Sequence, residues 1–426
     1  MPPPGRRAEH LLGIINTLDT TPEHLAREVE RLHRAGRSAD AFDLALEAVR
    51  RFPHSSLAHT NAGYFYILRG EPALALRAYE SAVLANPQNA EARRGLAVAK
   101  TQCGIAAQGD SITTVPFRGA GAPVRVLVPI TLGSGNVVTE RLFDHRVFAV
   151  TKLAVELHPL DAPLPEHDVV FNAIGEADSA ADALARATVL LASTRKRVLN
   201  DPRAVLLTGR EAQARRLAGL ADVRVPQIGV VARANARDLA TPILLRAPGY
   251  HAGEFFERAL SAPEIDRALE RLPGDALFAI EFLDVRDANG LWTKYRVMAV
   301  DGVLYPLHLA ISHDWKVHYF SAQMAAQPAF REREAAFLRD PQAALGLRAW
   351  SALQRVIDRL ALDYAGVDFT LDVDGNVVVF ETNATMAVRH PPEDPMWTYR
   401  RPSVDAVLEA MRAMLLRYSS IETLPP

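Results

Sequence analysis

Glycine returns every 34 residues near the start of this chain, at Gly36, Gly70 and Gly104. Ala41 and Ala75, Ala48 and Ala82, and Pro53 and Pro87 keep the same spacing. A fixed period of this length leaves room for little besides one pair of short helices per repeat. Small side chains at the alanine positions let two antiparallel helices cross closely. The glycines end the first helix of each pair and the prolines stop the second. One such pair cannot bury its apolar face alone, so neighbouring repeats must stack.

Within this region AGYFYILRGEPALALRAYESAVLANP, from Ala62 to Pro87, resembles the tetratricopeptide repeat, with Gly63, Tyr66, Ala75, Tyr79, Ala82 and Pro87 in place. The first repeat has Glu28 and Val29 where Leu-Gly is usual, and the third stops after one helix near Gly104. The resemblance implies an all-α module over residues 21–105, preceded by a flexible tail over 1–20. Such a module serves as a groove for a protein partner, or as a docking or dimerisation element for the domains on its C-terminal side. Residues 106–123, rich in Gly, Pro, Ser and Thr, read as a linker.

Composition excludes several classes. The chain of 426 residues is too long for one core. It is 49% hydrophobic and 23% charged, as globular proteins are, and its net charge of -2 argues for neither nucleic acid nor membrane as a partner. Cys103 is the only cysteine, so no internal disulfide or cysteine metal cluster can form, and a cytoplasmic location is expected. No apolar run is long enough to span a bilayer, and MPPPGRRAEH lacks the apolar core of a signal peptide.

Beyond residue 123 strands and helices alternate. VRVLVPI (Val124 to Ile130), DVVFNAIG (Asp168 to Gly175) and VLN (Val198 to Asn200) read as buried parallel strands, with a helix over Ala180 to Ala192. Further on the pattern changes to hairpins, with Asp-Gly turns at Asp301-Gly302 and Asp374-Gly375 between alternating apolar residues. The fold class expected is therefore mixed: all-α repeats, a parallel α/β part over 124–200, and two antiparallel α+β parts over 201–275 and 276–420.

The hairpin GVDFTLDVDGNVVVFETNA, Gly366 to Ala384, carries the chemistry. Glu381 and Asn383 lie on one face of the second strand, and the turn returns Asp368 beside them. Three oxygen donors at one hairpin end suit a hard cation such as magnesium, which is commonly shared with phosphates. Asp368, Glu381 and Asn383, in this order and spacing, resemble the metal triad of the ATP-grasp superfamily, to which glutathione synthetase and D-alanine–D-alanine ligase belong.

That resemblance, over roughly residues 124–420, implies further roles. The stretch from Asn200 to Pro226 would supply Arg210 to the phosphates of ATP. TPILLRAPGYHAGEF, Thr241 to Phe255, resembles the strand and glycine-bearing loop over those phosphates; Arg246 stands where lysine is usual, and Gly249 and Gly253 would let the loop close. The chain has only five lysines, so arginine replaces lysine generally. In LFAIEFLDV, Glu281 would face the nucleotide at the adenine hinge. Lys294 and Arg296 share a strand face and would hold a substrate carboxylate or acyl-phosphate; His308, Ser312 and His318 are candidate substrate contacts, and Arg389 a phosphate or substrate contact. No paired histidines or cysteines suggest zinc.

The implied activity is an ATP-dependent, ADP-forming ligase using magnesium, with two ions expected. A carboxylate is phosphorylated to an acyl-phosphate, and an amine or thiol then displaces phosphate. The alternatives are a nucleotide-binding scaffold whose repeats recruit a partner, and a small-molecule kinase on the same fold. The acid and the nucleophile are not specified by the residues.

Overall fold

The computed structural model describes residues 21–34, 37–103, 111–248, 255–317 and 322–420. Gly36 and Gly104 of the 34-residue period lie outside them. The chain divides into two compact units, Met1–Asp110 and Ser111–Pro426.

Among the described residues of the first unit five helices succeed one another: Pro22–Arg34, Ser38–Arg51, Ser56–Leu68, Pro72–Ala85 and Ala90–Gln102. Each packs on the next, and the third also touches the first and the fifth. Ala41, Ala48, Ala75 and Ala82 are buried at the helix contacts. Gly63 and Gly95 both face the Tyr79 ring, where an added Cβ would lie 2.9 and 2.2 Å from ring carbons. These close approaches explain why glycine stands there.

The described residues of the second unit form three sheets. Strands β1 (Ile112–Val115), β2 (Val124–Ile130), β3 (Phe148–Ala154), β4 (Val169–Phe171) and β5 (Val198–Leu199) form the first, in the order β1-β3-β2-β4-β5. It is parallel except for β1, which runs antiparallel to β3. Near-continuous apolar runs are what a sheet covered on both faces requires. The expected linker is therefore corrected: its 112–115 segment is an edge strand of this sheet.

Next come β6 (Val223–Arg224), β7 (Ile228–Ala232), β8 (Ile243–Arg246), β9 (Phe256–Ala259) and β10 (Ala276–Glu281). The second sheet, order β7-β10-β8-β9, is antiparallel throughout. This corrects the boundary expected at 275/276, because β10 completes the central sheet. The third sheet contains β11 (Trp292–Val300), β12 (Val303–Ser312), β13 (Tyr364–Leu371) and β14 (Val377–Asn383), with β6 parallel to β14 at its edge, in the order β12-β11-β13-β14-β6. Asp301 and Gly302 both have positive φ (50° and 78°), the tight hairpin turn that Asp-Gly favours. The other Asp-Gly lies in a longer loop, where the Asp372 carboxylate accepts from the backbone N–H groups of Asp374 and Asn376. Helix Leu347–Leu360 buries Leu353, Val356 and Ile357 in the core of the third sheet. Helix Arg401–Ser419 returns to the first sheet, burying Val407, Met411 and Leu415 with Phe148 and Phe171. A mostly parallel sheet followed by two antiparallel α+β parts is the layout that the resemblance implied.

Candidate active site

Strand β11 lies between β12 and β13, and this register assembles the site. Arg296 is opposite His308 on one side and Asp368 on the other, and Asp368 is opposite Glu381 on β14. Directly opposed residues point to the same face. A row His308–Arg296–Asp368–Glu381 therefore crosses four strands, with Lys294 two residues along β11. Past Asp368 the register shifts from Glu381 to Val379, so Phe380 is the extra residue of a bulge.

Charges in the row are paired closely. Arg296 donates from Nε to Oδ1 (2.6 Å) and from Nη2 to Oδ2 (2.8 Å) of Asp368, and Lys294 Nζ is 3.1 Å from Oδ2. Asp368 is 2% exposed. Burial pushes its carboxyl up, but Arg296 and Lys294 together outweigh burial and hold it well below the usual carboxylate range. His308, opposite Arg296 in the register, is buried, and burial first, then Arg296, push its imidazole well below 6.5, so it is neutral.

Glu381 accepts from Arg210 Nη2 at 3.0 Å and from Asn383 Nδ2 at 3.2 Å. Burial raises its pKa, but Arg210 and Arg246 bring it below the ordinary value. Arg210 opens helix Arg210–Leu217, and its backbone N–H donates to Asp178. Arg246 ends β8 and is 9% exposed; burial, then the repulsion of Arg210, lower its pKa to about 10, which leaves it charged at neutral pH. The third oxygen donor, Asn383, holds the Thr385 N–H and hydroxyl through Oδ1, both at 3.0 Å.

A cavity of about 250 Å³ lies where the second and third sheets face each other. Ile228, Leu244, Ile280, Leu283, Trp292 and Phe380 supply an apolar part. Arg210, Arg246, Lys294, Arg296, Asp368 and Glu381 supply a charged part. A slot of this kind takes a flat apolar group beside a polyanion. Lys316 also lines it, with Nζ donating to the Phe256 carbonyl at 3.0 Å. Next to it the Trp315 ring meets Phe256 edge-on, and Arg258 stands 5.3 Å from both the Phe282 and Trp315 ring centres. These contacts join β9 to the segment after β12. The sequence contains these residues but no periodicity that would bring them together.

The other expected residues divide. Glu281 lines the cavity, but its carboxylate accepts from Arg224 and the Gln227 N–H. Ser312 is buried and accepts from the Asp314 N–H, and neither it nor His308 lines the cavity. Arg389, expected as a substrate or phosphate contact, is exposed and outside the lining of this cavity, in the field of Glu140. Gly249, Gly253 and His318 lie outside the described residues. Glu176, which sequence reasoning missed, is 7% exposed; burial, then Glu381, raise its carboxyl to about 7.

The donor set tests the fit of a magnesium ion. Asp368, Glu381 and Asn383 bring only oxygen and amide groups to one hairpin end, as a hard cation requires. Glu381 retains carboxylate capacity beyond its bonds to Arg210 and Asn383, while Asp368 would be shared with Arg296 and Lys294. The set fits magnesium and offers nothing to a soft metal.

No family model matches the chain, and no curated protein matches it. Solved structures similar to it include a RimK domain protein ATP-grasp from Sphaerobacter thermophilus, at 19% identity over 68% of this chain and 99% of that one, with a TM-score of 0.42. The VanG D-Ala:D-Ser ligase from Enterococcus faecalis is 12% identical over 70% of this chain and 100% of its own, TM-score 0.43. The ATP-grasp ligase PsnB, complexed with a phosphomimetic variant of its minimal precursor, Mg and ADP, is 16% identical over 69% and 99%, TM-score 0.38. With values this low, the functional reading rests on the cavity and its residues.

Proposed function

We propose that the Ser111–Pro426 unit is an ATP- and magnesium-dependent ligase of the ATP-grasp kind, joining a carboxylate to an amine or thiol with release of ADP and phosphate. One observation carries this reading: an apolar slot and a cluster of arginines and lysines share one cavity with the Asp368–Glu381 cross-strand pair. The slot suits an adenine base, and Arg210, Arg246 and Lys316 suit its phosphates. Magnesium held by Asp368, Glu381 and Asn383 would neutralise phosphate charge when ATP is bound.

Arg296 and Lys294 then have two tasks. They fix the Asp368 carboxylate in its ionised form, and they present positive charge to the incoming acid. In the first step a carboxylate oxygen attacks the γ-phosphorus, the bond to the β–γ bridging oxygen breaks, and ADP leaves. In the second the neutral amine or the thiol attacks the carbonyl carbon, the C–O bond to phosphate breaks, phosphate leaves with its electron pair, and the proton of the nucleophile passes to the departing phosphate or to water. The protein contributes positioning and fixed charge, not a nucleophile of its own.

Calorimetric titration with ADP, with and without magnesium, tests the reading. Wild-type protein should bind only the magnesium complex tightly, and Glu381→Gln should weaken that binding and stop ADP release. Full turnover in Glu381→Gln overturns the assignment.

A further inference from the structure

The two ends of helix Arg210–Leu217 meet different surroundings. At its start Arg210 reaches the cavity and holds Glu381, and in its middle Gln213 accepts from the Thr382 N–H and hydroxyl, both at 2.7 Å. Arg216 lies about 9 Å further along the axis, outside the lining of the cavity. There the helix packs against helix Leu347–Leu360, which brings Arg355 and Arg359, one turn apart, to the same place. Arg359 Nη1 donates to the Arg216 carbonyl at 2.9 Å. Arg355 Nη2 donates to the Ala221 carbonyl and to Asp222, both at 2.8 Å.

Positive charge is in excess around this turn. Asp222 is held by both Arg348 and Arg355, and Asp358 accepts from Gln354. Neither Arg216 nor Arg359 has an ion-pair partner among the described residues. Arg216 and Arg359 stand in the last turns of their helices, where each helix end supplies roughly half a negative charge. Four arginines set against Asp222 and these two ends leave about two positive charges uncompensated. Arg216 Nη1 and Arg355 Nε are also buried with no acceptor among the described residues, an unfavourable state for charged donors. Burial first, then the repulsion of Arg359, lower the pKa of Arg216.

We propose that Arg216 and Arg359, with Arg355 beside them, form an anion site apart from the catalytic cavity, taking a small doubly charged oxyanion of the phosphate type. Each guanidinium fork can grip two oxygens of such a group, and its charge matches the excess. Chloride has no pair of oxygens to offer, and a single carboxylate matches only one fork. No residue of the cavity takes part, so the proposal does not depend on the ligase reading.

Thermal unfolding of the full chain, without nucleotide or magnesium, tests the site. Inorganic phosphate and glycerol 2-phosphate are added at low millimolar concentration, with sodium chloride of equal ionic strength as control. At least one of them should raise the melting temperature by a few degrees in a saturable way. The one that saturates at lower concentration tells whether the ligand is free phosphate or a phosphate ester. Arg359→Gln and Arg216→Gln should each abolish the increment, Arg359→Lys should keep part of it, and Arg246→Ala, in the cavity, should keep all of it. No increment over chloride overturns the proposal. So does one that grows linearly without saturating, which is the general effect of a salt excluded from protein surfaces. An increment retained in both glutamine variants, or lost in Arg246→Ala, would place the anion in the cavity and overturn it equally.

Discussion

Arg246 keeps its charge in a place that disfavours it, nearly buried and repelled by Arg210, while Glu381, Glu176 and Asp178 act in the opposite direction. A polyanion entering the cavity would relieve that repulsion. Arg246→Ala should therefore weaken Mg-ADP binding by roughly 1.5–3 kcal/mol, the scale of a charge-assisted hydrogen bond. Unchanged affinity in the same titration would remove Arg246 from the phosphate site. Glu176 yields a prediction of opposite kind, about stability in the absence of ligand. Its carboxyl moves from 4.5 to about 7 on folding. Below the lower value it is protonated in both states and costs nothing. Between the two, the folded protein holds a proton that the unfolded chain has released, so stability falls as pH rises. Above the upper value the full cost applies, about 3 kcal/mol. Glu176→Gln should therefore stabilise the ligand-free protein at about pH 8 and hardly at all near pH 4. Melting curves of both proteins across that range check the sign, and parallel curves would contradict it.

Elements were legible where their signals were local. The β13–β14 hairpin announced its faces through alternation, and the 34-residue period placed alanines at helix contacts. The pairing of Arg296 with Asp368 was not legible, because it depends on β11 lying beside β13 across 72 residues of chain. Alternation put Lys294 and Arg296 on one face but gave no partner for that face, and a substrate role for them now competes with their grip on Asp368. Strand β1, Ile-Thr-Thr-Val, was hidden in a Gly- and Pro-rich stretch because a four-residue edge strand buries too little to pattern its sequence. The contacts between β9 and the segment 313–317 were equally silent, and they invite a test. Trp315 packs on Phe256 and flanks Arg258. Trp315→Ala should loosen the cover of the cavity, costing roughly 1 kcal/mol of nucleotide affinity, mostly as faster release. Stopped-flow displacement of a fluorescent ADP measures it; an unchanged release rate would show that these rings only pack.

At the scale of the whole molecule, the two units of the chain raise the question of separability. Every residue placed at the cavity lies beyond position 200, in the Ser111–Pro426 unit. The boundary matters more than composition suggested. A chain cut at Gly121, inside the stretch read as a linker, would lose β1 and leave the edge of β3 unpaired from Val150 to Leu153. It would also lose the Ser111 carbonyl that accepts from the Ala154 N–H and the hydroxyl bonded to His158. Exposed edges of this kind promote association between copies. A chain beginning at Ser111 retains all of these bonds and should bind Mg-ADP with the affinity of the full protein. The Gly121 chain should elute in part as aggregate and melt at lower temperature. If the helices of the first unit recruit a protein or peptide acceptor, the Ser111 chain should still release ADP with a small amine while failing on the large acceptor. If they hold two copies together, it should elute as a smaller species than the full protein. An insoluble Ser111 chain, beside a well-behaved full-length protein, would show that the helical unit is needed to fold the rest, and would refute separability.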